Sequence, residues 1–499
     1  MNQDEDPVEA GLSRHIGAFS MVLAAGFMTL LDVSIVNVAL PSMEIGLGAG
    51  PDALQWIVAG YALAFGLTLV AAGRAGDILG RRRLFLIGLT LFVVASLACG
   101  LAPSPLWLSI FRFVQGGAAG VLNPQVIGLM QDMYQGAARA RAFGAFGVIV
   151  GLSTALGPVL GGGLIALAGP SLGWRLVFLM NVPIGVVVIP LAARWLPASP
   201  RRKHEGSLLA QFDPVGILLL GGVVLCIMLP FLEGSSQNLE ASRPYWLLGV
   251  SAALGLLLWL WERFSVRRGG EVLMDPALLR NPTFIMGVLA AFFYFGGFTS
   301  IFLVLTLFLQ QSLGWSALAA GAAAVPFALT SGLASGLSGG LVNRLGRVVP
   351  LVGSLIVALT LGIVGFLIPG LPPAVAPWIA IGVLAVAGIG SGLMISPNQT
   401  LTLHTVPLRL AGVGAALLQT FQRLGTAIGL TLVTTVYFVT ISSSTPPGAE
   451  AGQKALGAAS IAISATVSLA VLVGVIDLVR GRKQTLLRAG DIIDSSSAR

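Results

Sequence analysis

GRAGDILGRRR, residues 73–83, closes one apolar run and opens the next, and GGLVNRLGR, residues 339–347, does the same later in the chain. The two align Gly73 with Gly339, Asp77 with Asn343, Gly80 with Gly346 and Arg81 with Arg347 at identical spacing. A polar signature that recurs at the same place among apolar runs marks an internal repeat, and here the repeat sets the fold. One membrane crossing needs about 20 mainly apolar residues. The chain holds fourteen such stretches, at roughly 16–41, 52–73, 83–101, 105–130, 142–168, 174–196, 213–232, 244–262, 281–310, 317–341, 348–369, 375–402, 410–440 and 455–478. The repeats divide them into a six-helix block over residues 16–200 and another over 281–480, with two extra spans between charged loops at 201–280 and tails at 1–15 and 481–499. The expected fold is an all-α polytopic membrane protein, two six-helix bundles plus two linker helices.

Composition excludes the soluble alternatives. Of 499 residues, 56% are hydrophobic and 10% charged, and mean hydropathy is +0.92; soluble domains carry about 25% charged residues. Lys and Arg concentrate in cytoplasmic loops. With both termini inside, 23 of the 28 fall on the inner side, including Arg81 to Arg83, Arg201 to Lys203, Arg344, Arg347 and Arg409; the outer loops hold only Arg175, Arg243 and Lys454. The net charge of +8 is this inner rim, so no nucleic-acid partner is expected. Cys99 and Cys226 lie in apolar runs and form no metal or disulfide pattern. His15, His204 and His404 are scattered, against the clustered groups that a membrane enzyme would need. The first apolar run is longer than a signal-peptide core and is expected to stay in the protein. With no GxxxxGK[ST] stretch in the sequence, ATP is not the expected energy source; a gradient is.

Asp32 interrupts the first apolar run in AGFMTLLDVSIVNVALP. An Asp at a helix centre costs about 2.5 to 3.5 kcal/mol by insertion scales, and such positions are typically proton relays or ion sites. Asp32 lies 16 residues from the inner end of its run and Arg112 about seven from the outer end of the fourth. At about 1.5 Å per residue both sit in the outer half of the bilayer, within roughly a turn of each other. Burial favours a neutral carboxyl and a nearby cation favours a charged one, so a change in their separation would switch proton affinity. Gln115 follows Arg112 by one turn and faces the same way. Asp77, with Gly73, Gly80 and Arg81, is the expected gate at the inner rim.

At this point a resemblance becomes visible. LDVSIVNVALP (31–41), GRAGDILGRRR, RFVQGGAAG (112–120), GLSTALGPVLGG (151–162), WRLVFLMNVPIG (174–185) and FDPVG (212–216) resemble, in order, the motifs of fourteen-helix major facilitators of the drug:proton antiporter type, the EmrB/QacA-type multidrug efflux transporters. The chain departs from that pattern at Ile78, where an Arg usually follows the Asp, and at Asn343, where the second repeat lacks the acid. The resemblance implies a proton-coupled antiporter exporting lipophilic drugs or related amphiphiles by alternating access. Asp32 and Arg112 would couple protons, and Gly151, Gly157, Pro158, Gly161 and Gly162 would form the antiporter motif, read as one bare, kinkable face sliding on the other block.

Polar and aromatic residues of the inner helices are the expected pocket: Asn37, Tyr61, Gln115, Asn123, Tyr294, Phe295, Asn398, Gln419 and Arg423. Asp32 is the only acid deep in any span, which argues against dications and for neutral, zwitterionic or singly charged amphiphiles, Arg423 meeting an anionic group. Protons, membrane lipids and the small amphiphile are the expected partners, with no cofactor, no metal and a monomeric chain. Two alternatives stay open, a dedicated exporter of a lipid or self-made metabolite or antibiotic and, more distantly, a membrane-embedded enzyme or scaffold. Uptake by the same fold is also compatible, because fold does not fix direction.

Overall fold

The computed structural model describes residues 7–197, 212–232, 244–268, 272, 276–407, 410–444 and 448–497; Arg201 to Lys203, His204, Arg243 and Arg409 lie outside them. The described chain is helical. The first group comprises α1 (Pro7–Leu47), α2 (Pro51–Leu79), α3 (Arg81–Gly100), α4 (Pro105–Met133), α5 (Gly136–Leu179) and α6 (Asn181–Trp195). Between the groups stand α7 (Pro214–Leu232) and α8 (Trp246–Arg267). The second comprises α9 (Pro282–Phe298), continued by Ser300–Leu307 and a π turn at Phe308–Ser312, then α10 (Val325–Leu345), α11 (Val348–Leu367), α12 (Ala376–His404), α13 (Ala411–Ser442) and α14 (Ala449–Ser497).

Local sequence sets the boundaries. Prolines open α2, α4 and α9, where the missing N–H would have had no helical partner. The Asn281 side chain accepts from the backbone N–H of Thr283 at 3.0 Å and so caps α9. Gly80, at φ 97° and ψ 128°, turns the chain between α2 and α3.

Twelve helices among the described residues are long and apolar enough to cross a membrane, against the fourteen expected. Two features account for the difference. Residues Ala138–Trp195 form one span of 58 residues, in which the backbone leaves helical geometry at Gly169, φ 74° and ψ 168°, inside α5. The 29-residue α4 is not among the twelve; Arg112, Gln115, Asn123, Gln125 and Gln131 along it lower its hydropathy, and all five are buried against protein.

Helix pairings repeat between the two groups. In the first, α2 packs on α4, α1 on α5 and α3 on α4; in the second, α10 packs on α12, α9 on α13 and α11 on α12. The groups meet through two equivalent seams, α2 against α13 and α10 against α5. Each seam joins the second helix of one repeat to the fifth of the other. Helix α7 lies against both α2 and α13, and α8 packs on α7. The first core is built around Phe65, Phe85, Phe92 and Phe143, and the second around Tyr294, Phe298, Phe308 and Tyr437.

Candidate functional site

Asp32 is 0% exposed and Arg112 2%. The structure sets them side by side, with Arg112 Nη1 2.6 Å from Asp32 Oδ2. Gln115 Nε2 donates to Asp32 Oδ1 at 2.9 Å, while Gln115 Oε1 accepts from Arg112 Nη1 at 2.8 Å. Asn181, the first residue of α6, donates to Asp32 Oδ1 at 3.3 Å and to Ser96 Oγ at 3.0 Å. Four helices, α1, α3, α4 and α6, thus close a cage around one carboxylate. Buried pairs persist only when their remaining hydrogen-bonding capacity is met, and here three side chains meet it.

Arg112 does not depend on Asp32 alone. Its Nε donates to the Ile57 carbonyl at 3.3 Å, and its guanidinium carbon stands 4.1 Å above the Tyr61 ring. With Gln115 Oε1 these keep the cation solvated by protein if Asp32 becomes neutral. Asn181 and Ser96 escaped sequence reasoning. Asn181 sits inside WRLVFLMNVPIG, so its motif was visible, but an uncharged polar residue in a helix gives no energetic signal of its own.

The second construction lies at the arginine-rich end. Asp77 accepts from the backbone N–H groups of Gly412 and Val413, each at 3.1 Å. These are among the first N–H groups of α13, which lack helical partners, so a carboxylate from one group caps a helix of the other. Arg81 holds Asp77 at 2.8 Å and Asp132 at 2.5 Å, and donates to the Gly128 carbonyl at 3.0 Å. A Cβ at Gly73 would stand 2.6 Å from the Gly412 carbonyl oxygen; only glycine lets the two backbones approach this closely. Gly76 makes room in the same way for the buried Gln125 side chain, another residue without a sequence signal.

The expected pocket residues are not gathered in one place. Tyr61 belongs to the Arg112 cage, and Gln115 faces Asp32 rather than open space. Tyr294 is 0% exposed and stacks on Phe298 at 5.1 Å, with Phe295 edge-on at 5.6 Å; Tyr294 is a core residue of the second group. Asn398 donates to the Gly287 carbonyl at 3.0 Å and ties α12 to α9, beside a cavity of about 30 Å³. Asn123 donates to the Ala119 carbonyl at 3.0 Å and to Thr29 at 3.4 Å. Asn37 is exposed, Gln419 buried and Arg423 partly exposed.

The glycines of α5 also differ from one sliding face. Gly147 and Gly151 meet Ser335 and Ala328 of α10, but Gly157 and Gly161 meet Ser34 and Ile35 of α1. From Gly151 to Gly157 is six residues, roughly 240° around a helix of 3.6 residues per turn, so the pairs occupy different faces. Pro158 abuts Gly321, and Gly162 lies 3.4 Å from Leu318. Helical geometry continues through Pro158, and the break falls at Gly169 instead.

Two six-helix groups with matching pairings, joined by two equivalent seams and holding a buried ion pair inside the first group, define a multi-pass membrane carrier. The family profile of the Major Facilitator Superfamily matches residues 22–430, and the chain belongs to that family of membrane transporters; it is not an enzyme. It is 34% identical over 453 residues to the "Probable actinorhodin transporter" of Streptomyces coelicolor, covering 88% of this chain and 75% of the relative. It is 30% identical over 425 residues to "Multidrug resistance protein Stp" of Mycobacterium tuberculosis, covering 85% and 76%. Among solved structures, the proton:xylose symporter XylE superposes with a TM-score of 0.66 at 14% identity, covering 93% of this chain and 95% of that one. At that identity the likeness concerns the fold.

Proposed function

We propose that this transporter is a proton-coupled antiporter of the fourteen-helix type, exporting lipophilic drugs or related amphiphiles across the cytoplasmic membrane by alternating access. Both termini lie inside. The observation that carries the reading is the caged Asp32–Arg112 pair, one carboxylate 0% exposed with three side-chain donors around it. Asp32 carries the proton, Arg112 modulates its affinity, and Gln115 and Asn181 orient the carboxylate. Asp77 latches α2 to α13 on the inner face, so that face is closed in the described state. The latch releases when the two groups rock.

Relatives named for multidrug resistance and for a single antibiotic transporter support small organic substrates. The energetics suit export. One proton is worth about 1.4 kcal/mol per pH unit, and one net charge about 2.3 kcal/mol per 100 mV. A neutral compound exchanged for one proton draws on both; a monovalent cation exchanged one for one draws on the pH difference alone.

The test is proton movement in proteoliposomes under an imposed pH gradient, driven by a panel of cationic, neutral and anionic aromatic compounds. Proton flux that follows addition of a panel member is expected. Silence across a broad panel would instead favour the second reading, a dedicated exporter of one lipid, metabolite or antibiotic, in keeping with the Streptomyces relative named for one compound.

A further inference from the structure

Arg423 stands on α13, which faces α2 and α4 of the first group across the seam. Its guanidinium carbon lies 4.4 Å above the Phe65 ring of α2. Among the described residues no carboxylate is within salt-bridge distance of it, and it donates no side-chain hydrogen bond. The contrast with Arg112 is plain. Arg112 has a carboxylate, an amide oxygen, a carbonyl and an aromatic face; Arg423 has the Phe65 face and an electrostatic neighbour in Tyr61.

One turn away on the same side of α13, Gln419 is 8% exposed and its Nε2 group has no hydrogen-bond partner. A buried donor left unpaired costs about 1 to 3 kcal/mol. Two donors, one charged and one neutral, therefore stand together on one helix face with their capacity unused. Phe65, whose ring Arg423 covers, is 2% exposed and stacks on Tyr61 at 6.2 Å with 29° between the planes. The single carboxylate deep in the membrane region, Asp32, is fully engaged in its cage and cannot serve a cationic ligand here.

We infer that Arg423 and Gln419 form the polar end of the substrate site and select organic anions, whose negative group Arg423 and Gln419 receive when the two groups rock apart. The inference rests on the export reading above and names its substrate class. It also fits the driving forces, because an anion leaving a negative-inside cell gains about 2.3 kcal/mol per charge per 100 mV.

Binding measurements test the inference apart from transport. The full-length protein in lipid nanodiscs is titrated calorimetrically with three probes sharing one ring system: 2-naphthoate, 2-naphthamide and (2-naphthyl)trimethylammonium. The wild type is expected to prefer naphthoate over naphthamide by about tenfold or more, the size of one charge-assisted hydrogen bond, and to bind the ammonium compound most weakly. Arg423→Gln is expected to bring the naphthoate preference close to one, Arg423→Lys to keep part of it, and Gln419→Leu to reduce it several-fold. The preference is a ratio within each variant, so partial loss of folded protein does not alter it. A wild type without charge preference, or an Arg423→Gln variant that keeps it, overturns the inference even if proton-coupled export is observed. Conversely, a charge preference that depends on Arg423 in a protein moving no proton would leave the anion site standing and sink the antiport reading.

Discussion

The two seams between the helix groups are built alike and finished differently. At both, a glycine near the end of the repeat's second helix approaches the start of the opposing group's fifth helix: Gly73 meets Gly412, and Gly339 meets Ala140. At the first seam Asp77 caps α13 through two backbone N–H groups. At the second, the equivalent Asn343 is exposed and, among the described residues, makes no hydrogen bond to α5. Arg347, the counterpart of Arg81, turns away to pair with Asp477 of α14 within its own group. One seam thus has a charged latch and the other relies on close packing of small residues. The interiors differ in the same sense, with Asp32 and Arg112 in the first group and the clustered Tyr294, Phe298, Phe302 and Phe327 rings in the second. Symmetric architecture thus carries asymmetric chemistry: both seams use close-packed glycines, and Asp77 at the first has its counterpart in the uncharged Asn343 at the second.

The sharpest way to break this contrast is to remove one member of the buried pair. Arg112→Gln leaves the Asp32 carboxylate without its cation, and breaking a buried pair in this way costs about 3 to 5 kcal/mol; thermal unfolding in detergent should show it. The double variant Asp32→Asn with Arg112→Gln should recover most of that loss. Tyr294→Phe, in the aromatic core, should change stability by less than about 1 kcal/mol, since it removes a hydroxyl without disturbing the stack.

The seams come next. A Cβ at Gly73 would stand 2.6 Å from the Gly412 carbonyl oxygen, while one at Gly339 would stand 3.0 Å from that of Ala140. Overpacking of a close contact costs about 1 to 3 kcal/mol, so Gly73→Ala should slow coupled exchange by about tenfold and Gly339→Ala by only a few-fold. Equal effects would remove the asymmetry.

A smaller effect is expected when the latch loses its charge but keeps an acceptor. Asp77→Asn weakens a helix cap that, with the dipole, contributes about 1 kcal/mol. The closed seam should then open more often toward the arginine-rich face. Labelling of an Ala416→Cys variant by an impermeant maleimide from that face should rise several-fold. Asn343→Ala is the smallest change, expected to leave stability within about 0.5 kcal/mol and transport rates unaltered.

How much was legible in the sequence follows from which residues carry a cost when misplaced. Asp32 and Arg112 stand out because charge in an apolar run is expensive, and Asp77 and the pairing of Gly73 with Gly339 stand out because their motif repeats. Asn181, Ser96 and Gln125 do not, since an uncharged polar side chain can be satisfied by any nearby carbonyl or hydroxyl. The aromatic pocket residues were least legible. Tyr294 packs in the core as readily as it would line a cavity, and helix periodicity alone cannot choose between the faces. The glycines of α5 are close in sequence and so suggest one face, whereas the helix turns Gly157 and Gly161 toward α1.

The central claim is that the Asp32 carboxylate is the group that exchanges the proton. Its most direct test is substrate-driven proton movement in proteoliposomes, comparing wild type, Asp32→Asn and Asp32→Glu under the same pH gradient, with binding of the same compound measured alongside. Exchange in the wild type, partial exchange in the Glu variant, and none in the Asn variant despite retained binding are predicted. Proton movement in Asp32→Asn at the wild-type rate would contradict the account and place the coupling group elsewhere.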